Sequence, residues 1–316
     1  MDRKKVLRLR YAILIITGIV IIGLIAAVIR LSSELERTKA ALFEDEEYIS
    51  AKNSRVFEYL GERERVYSKD PALGQIWYQP HPEVPKSEVD YSAVETDSSG
   101  FKTYYRDGEP ASLLGIDVSR HNGDIDWEKV AAQGISFAMI RVGYRGYDKG
   151  IIQDDTRFEE YMRGAAAAGI DVGVYFFSQA VSTEEAEEEA DYVLSRIEGY
   201  DIPYPVVFDW EVSSGISPRT EDLPVDTLNE CAKVFCNKIA KGGYIPMIYF
   251  NRPMGLSKYD LTYISGFDFW LAEYTDEPLF PYDVKMWQYC SDGIIDGIDE
   301  YVDIDISFVD YSKERR

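Results

Sequence analysis

The hydrophobic and polar positions fall into three textures along the chain. An uncharged, almost wholly apolar run extends from Tyr11 to Ile29 and is closed by Arg30. Residues 31–112 are mixed. A helix-tolerant stretch through Ala40, Leu42 and Ala51 to Leu60 has apolar spacing too irregular for a coiled coil. It gives way to a segment punctuated by Pro71, Pro80, Pro82, Pro85 and the Asp97-Ser98-Ser99-Gly100 cluster. Trp77, Tyr78, Tyr104 and Tyr105 make that segment too apolar for a pure spacer. Part of it is therefore expected to lie against the following domain, with a small strand over Phe101–Tyr105 before a turn at Asp107 and Gly108.

From Leu113 onward, short β-rich runs alternate with helical ones. Strands are predicted over Leu113–Ser119, Phe137–Tyr144, Val172–Ser178, Val206–Glu211, Pro246–Phe250, Phe269–Tyr274, Val284–Tyr289 and Tyr301–Ser307. Helical length or periodicity marks Trp127–Gln133, Thr156–Ala168, Glu184–Ile197 and Leu228–Lys241. The strand runs are mostly continuous in Val, Ile, Phe and Tyr, as strands covered on both faces should be. Strand then helix, repeated, calls for a parallel barrel or a doubly wound sheet, and spacing alone does not choose between them. The last three strands leave little room for full helices, so a barrel here is expected to be irregular. The acidic run Glu184, Glu185, Glu187, Glu188, Glu189 and Asp191 reads as a solvated helix face. Ser182 or Thr183 should cap its start, with acids favourably placed at the positive end of the helix dipole.

The apolar run acquires meaning from its flanks. Lys4, Lys5, Arg8 and Arg10 precede it, and Glu44, Asp45, Glu46 and Glu47 follow. Nineteen residues from Tyr11 to Ile29 approach the length of a bilayer-spanning helix, longer than the apolar region of a cleaved signal peptide, and no clean small-x-small site follows. The positive-inside rule then gives a signal-anchor in the plasma membrane. The expected order is cytoplasmic tail 1–10, transmembrane helix 11–29, extracytoplasmic stalk and linker 30–112, and an extracytoplasmic domain 113–316.

A net charge of −22 argues against a nucleic-acid partner, since phosphate recognition runs on Lys and Arg. It still permits a negatively charged polymer, whose binding needs only a local groove. Three cysteines give no disulfide framework. Cys231 and Cys236 lie about 140° apart around a helix, too far for an intrahelical bridge, and read as small buried thiols. With only His81 and His121 in the chain, a His-based zinc site has little to be built from. No metal or other cofactor is expected.

The chemistry is expected from carboxylates. In Val206-Val207-Phe208-Asp209-Trp210-Glu211, strand alternation points Asp209 and Glu211 the same way and Trp210 the other. Barrels and open sheets place ligands at that end of the strand. Burial raises a carboxyl pKa, and neighbouring acids push each other's values apart, so one can hold a proton while the other stays charged. Glycosidic cleavage needs that division of labour. Asp117 ends the first strand, and Asp303 and Asp305 share a face of the last. Closure of the sheet would bring Asp117 beside Asp303 or Asp305, across the mouth from Glu211. Tyr144, Tyr147, Tyr175, Phe177, Tyr249, Trp270, Tyr274, Trp287 and Tyr289 cluster at strand ends or the loops after them, where ring faces suit sugars.

Residues from about Gly115 to Val309 resemble glycoside hydrolase family 25, the lysozymes of the Chalaropsis type. The resemblance is carried by Gly115-Ile116-Asp117-Val118-Ser119, Asp124-Ile125-Asp126-Trp127, Phe137-Ala138-Met139-Ile140-Arg141-Val142-Gly143, Gly173-Val174-Tyr175-Phe176-Phe177-Ser178, Phe208-Asp209-Trp210-Glu211, Trp270-Leu271-Ala272-Glu273-Tyr274 and Trp287-Gln288-Tyr289. It implies an α/β fold, a flattened irregular β/α barrel of eight strands with about five helices. It implies an N-acetylmuramidase acting on peptidoglycan glycan strands, cutting the β-1,4 bond between N-acetylmuramic acid and N-acetylglucosamine. Glu211 would be the general acid and Asp209 its charged neighbour supporting attack by the substrate's own acetamido group. Asp117 and Asp303 would stand at the rim, and Tyr175, Phe177, Tyr249, Trp270, Tyr274, Trp287, Gln288 and Asp305 would be candidates for substrate contact. Two positions depart from the family pattern, Trp210 where a small residue is usual and Asp305 where Asn is usual. The alternative from another class is a catalytically inactive wall-binding or scaffold protein on the same fold.

Overall fold

The computed structural model describes residues 80–212 and 219–314, the backbone of strands 66–70 and 74–78, and helical positions 21, 24, 25, 28 and 30–32. The apolar run expected to span a membrane falls largely outside the described residues, as does the stalk from 33 to 65. Among the described residues, no helix is long and apolar enough to cross a membrane.

Eight strands close on themselves: β1 (Leu113–Val118), β2 (Phe137–Arg145), β3 (Asp171–Ser178), β4 (Val206–Trp210), β5 (Pro246–Asn251), β6 (Asp268–Ala272), β7 (Met286–Gly293) and β8 (Val302–Ser307). Neighbours from β1 to β7 run parallel, and β8 closes the ring antiparallel to both β7 and β1. The open-sheet alternative is thereby excluded. An extra strand, Ile152–Asp154, pairs antiparallel with the end of β2.

Most barrel strands are apolar on both faces because each face meets a different layer; β8 alternates, with Val302, Ile304 and Ile306 outward and Asp303, Asp305 and Ser307 inward. Phe137, Met139, Tyr175, Val207, Tyr249, Trp270 and Met286 fill the interior. Ile140, Val174, Phe176, Phe208, Ile248 and Leu271, one residue out of phase, pack under the helices. The interior is crowded at its base, where Phe137 stacks on Tyr204 with centroids 4.6 Å apart. A Cβ at Gly115 would collide with the Phe137 ring, so this strand position admits only glycine without repacking.

Among the described residues, four helices lie between β1 and β5: α1 (Trp127–Ala132), α2 (Phe158–Ala167), α3 (Thr183–Ile197) and α4 (Val225–Lys241). Only the short α5 (Arg252–Ser257) and α6 (Leu261–Ile264) separate β5 from β6, and β6 to β8 follow without an intervening helix. The barrel is irregular for that reason. On α4, Leu228, Cys231, Ala232, Phe235, Cys236 and Ile239 form the buried stripe, and both cysteines are free thiols.

Helix α3 exposes Glu184, Glu187, Glu188 and Asp191, as a solvated face should, and departs from that reading at Glu189. Ser182 does cap it, accepting from the Glu185 amide. Glu189, however, is wholly buried beside Ala186 and Ala190 on the inward stripe. It accepts from Arg145 Nε at 2.6 Å and from Ser178 Oγ at 2.6 Å. Burial pushes its carboxyl up to about 7, against the lowering effect of those two donors. A run of like residues on a helix must put some of them inward, and here an arginine waits on β2 to meet one.

Residues 80–112 are packed onto the barrel. Val84 and Tyr104 are buried, Tyr91 meets Trp287 edge-on at 6.1 Å, and Tyr104 meets Phe308 at 5.8 Å. A small strand, Lys102–Arg106, turns through Asp107 and Gly108, both with positive φ, into Glu109–Pro110. The Lys102 amide donates to the Tyr289 hydroxyl at 3.2 Å.

Candidate active site

The C-terminal ends of the parallel strands open into a cleft of about 370 Å³. Asp209 on β4 and Glu211 just after it both face this cleft, while Trp210 between them turns outward into the layer under the helices. Asp209 is 5% exposed, with one carboxyl oxygen lacking a hydrogen-bond partner; Glu211 is half-buried. Asp117 sits directly opposite Asp303 in the β1–β8 register, and both line the same cleft. The closure expected from the strand-end acids is therefore observed in atomic register.

Gln288 organises one wall. Its amide donates to Asp117 at 2.7 Å, and its carbonyl accepts from the hydroxyls of Tyr274 at 2.8 Å and Tyr249 at 3.2 Å. Asp305 lies beneath this wall, wholly buried, accepting from Trp270 Nε1 at 2.8 Å. The Trp270 ring in turn meets Tyr249 edge-on at 4.9 Å. Tyr175, Phe177, Tyr249, Trp270, Tyr274 and Gln288 line the cleft as expected of contact candidates, whereas Asp305 supports it from below.

Trp287 is the correction. It is fully buried on the outer side of β7, donates its indole N–H to the Glu273 carbonyl at 2.8 Å and packs on Tyr91. Adjacent residues of a strand face opposite ways, so Gln288 in the cleft excludes Trp287 from it.

Several cleft residues were not singled out from the sequence: Arg141, Ser119, His121, Asn122 and Tyr301. Arg141 carried a signal, being the one charged side chain in the Phe137–Gly143 run and in phase with the inward Phe137 and Met139. Its guanidinium is held by Asp155 at 2.8 Å. Gln179, fully buried, donates to the carbonyls of Ser178 at 2.9 Å and Glu211 at 3.3 Å and accepts from Thr220 at 2.9 Å. It ties the end of β3 to the backbone of Glu211.

Burial raises the carboxyl pKa of Glu211. Burial and then the Glu211 charge raise Asp209, with Arg141 opposing. Burial, then Asp303 and Asp305, hold Asp117 well above its usual range, and burial followed by Glu211 lifts Asp303 to about 7. Acids this close titrate as a group, and the site retains protons at pH values where free carboxylic acids have lost them.

This has a consequence for stability. A carboxyl raised in the folded state binds its proton more tightly there than in the unfolded chain, so stability falls as pH rises between the two pKa values. For Asp303 that window runs from 3.8, its ordinary value, to about 7. Glu189 acts in the same direction, from 4.5 to about 7. The melting temperature is expected to fall between pH 5 and pH 8, and Asp303→Asn should flatten the fall by removing one of the charges. A melting temperature that rises over this range in calorimetry would contradict the assignment.

The family model for glycosyl hydrolases family 25 matches residues 116–298. An autolytic lysozyme of Clostridium acetobutylicum is 22% identical over 194 residues, which cover 61% of this chain and 55% of that protein. The chain thus spans little more than half the length of this relative. The bacterial lysozyme of Streptomyces coelicolor superimposes with a TM-score of 0.51 at 25% identity, covering 61% of this chain and 90% of that one. A family 25 glycosyl hydrolase from Bacillus anthracis gives a TM-score of 0.53 at 20% identity, covering 69% and 98%. That likeness bears on the fold alone.

Proposed function

The chain belongs to glycosyl hydrolases family 25, and from that premise we propose that it hydrolyses peptidoglycan as an N-acetylmuramidase. The observation that carries the reading is the pair Asp209 and Glu211, side by side at the cleft mouth in surroundings that favour retained protons. Glu211 gives its proton to the O4 oxygen of the departing N-acetylglucosamine as the bond from C1 of N-acetylmuramic acid breaks. The acetamido oxygen of the same muramic acid closes on C1, giving a cyclic oxazolinium ion. Asp209 hydrogen-bonds the acetamido N–H and faces the positive charge that develops there, which draws this acid toward its ionised form as the reaction proceeds. Water then attacks C1, Glu211 takes back a proton, and the anomeric configuration is retained. Asp117 and Asp303, on the opposite wall, bind sugar hydroxyls. The test is hydrolysis of defined glycans. Cleavage of peptidoglycan in preference to chitin oligosaccharides supports the reading, and the reverse preference moves the chain to another N-acetylhexosaminidase specificity.

The enzyme works outside the cell, in this reading, tethered to the plasma membrane by an uncleaved signal-anchor over residues 11–29. The basic flank before it, its apolar length and the acidic exit support that topology. A tether keeps the domain near its polymer by raising effective concentration. Protease added to sealed protoplasts should digest the part beyond Arg30. Protection until lysis would reverse the orientation.

A further inference from the structure

Beside the acids the cleft continues into a side pocket of about 120 Å³, whose character is opposite. Arg120, His121, Arg141, Tyr144, Tyr147 and Phe177 line it, and His121, Arg141 and Phe177 also line the main cleft, so the two are continuous. We propose that this pocket is a subsite for a carboxylate carried as a substituent on the glycan, with the guanidinium of Arg120 as its counter-ion; the proposal rests on the muramidase reading.

The pocket carries a net positive charge. Arg141 is neutralised by Asp155, which it grips through Nε and Nη2, each at 2.8 Å. Burial, then Arg141 and Arg120, lower the pKa of His121, which keeps it uncharged at neutral pH. Among the described residues Arg120 takes part in no ion pair, and it leaves the pocket with a positive charge. In a chain of net charge −22, with four acids in the adjoining cleft, a pocket with an unpaired arginine is suited to an anion.

Arg120 is also held in place. It opens the turn Arg120–Asn122 that follows β1, and Ser119 and Asn122 cap this turn reciprocally. Its amide donates to Asp155 at 3.1 Å. Its guanidinium lies 4.9 Å from the Tyr144 ring centre and donates to the Tyr144 hydroxyl at 2.9 Å, while that hydroxyl donates to Gln153 at 3.0 Å. An arginine stacked and hydrogen-bonded on one edge still offers its remaining N–H groups, and planar donors suit a carboxylate. A carboxylate on the substrate finds no cationic partner among Asp117, Asp209, Glu211 and Asp303, which share what negative charge the group carries, and is attracted at Arg120, so the pocket favours one way round for the glycan.

The experiment compares soluble, N-acetylated peptidoglycan fragments with the same fragments after their carboxylates are capped as methylamides. The wild-type full-length protein should show a kcat/KM roughly three- to tenfold higher on the uncapped substrate, in the range of one charge-assisted contact at a partly exposed site. Arg120→Gln should bring that ratio close to one, and Arg120→Lys should restore part of it, since the charge survives while the planar fork on Tyr144 is lost. High salt should shrink the wild-type ratio as the charges are screened. If both variants lose activity on the two substrates alike and leave the ratio intact, Arg120 serves packing against Tyr144 and the proposal falls. A wild-type ratio of one, with both substrates cleaved, also overturns it and leaves the muramidase reading standing. Cleavage of neither substrate would remove the muramidase reading and this subsite with it.

Discussion

Glu211→Gln is expected to lower muramidase turnover by ~10² to 10⁴-fold, the usual worth of a general acid, with the fold intact. The sugar O4 leaves as a poor alkoxide unless a proton reaches it in the transition state. Glutamine keeps the size of the side chain and much of its hydrogen bonding and cannot supply that proton. Position 211 tolerates the change because its place is fixed through the backbone carbonyl, which Gln179 holds at 3.3 Å, and not through the carboxyl. The loss should appear in kcat, since ground-state contacts are little altered. The readout is new reducing ends per folded molecule on purified peptidoglycan, with circular dichroism confirming the fold. Near wild-type turnover would remove Glu211 from the role of acid.

Asp209→Asn should be nearly as severe, for an electrostatic reason. Asp209 is 5% exposed, so its charge would act with little screening on the cation forming in front of it. Loss of such a preorganised group costs on the order of 10² to 10³-fold in related situations. The same residue separates two mechanisms. With the acetamido group as nucleophile, no glycosyl ester forms on Asp209, and trapping followed by mass spectrometry should find none. A trapped ester there would make Asp209 the nucleophile and discard substrate assistance.

Most of the barrel could be read from the sequence because strands covered on both faces advertise themselves as unbroken apolar runs. The limits of β3 and β5 lie within one residue of those expected from Val172–Ser178 and Pro246–Phe250. The poorest fit is β7, expected over Val284–Tyr289 and found over Met286–Gly293. There the strand runs past its apolar stretch through irregular pairing at Cys290, held by backbone hydrogen bonds to β8 that composition does not register. Closure of the ring was not readable from spacing. It depends on β8 turning antiparallel to lie between β7 and β1, and only a sheet in three dimensions fixes that.

The acids of the site were legible because charge at the end of an apolar strand is conspicuous. Alternation placed Asp209 and Glu211 on one side and Trp210 on the other, as found. Applied as strictly to β7, it would have set Trp287 aside once Gln288 was chosen. Applied to β2, it would have picked out Arg141. Gln179 and Glu189 were hidden for a different reason. Gln179 has no local signature, Glu189 is masked by the solvated acids around it, and each matters through partners distant in sequence: Thr220 and Glu211 for one, Arg145 for the other.

The identity of the new reducing end reports directly which bond is cut. Purified peptidoglycan is digested with the wild-type protein, the fragments are reduced with borohydride, and the reduced sugar is identified after acid hydrolysis. Cleavage on the C1 side of N-acetylmuramic acid leaves that sugar at the reducing end, so muramicitol is the expected product, absent from the Glu211→Gln digest. Glucosaminitol in its place, or no reduced sugar above the undigested control, would contradict the account.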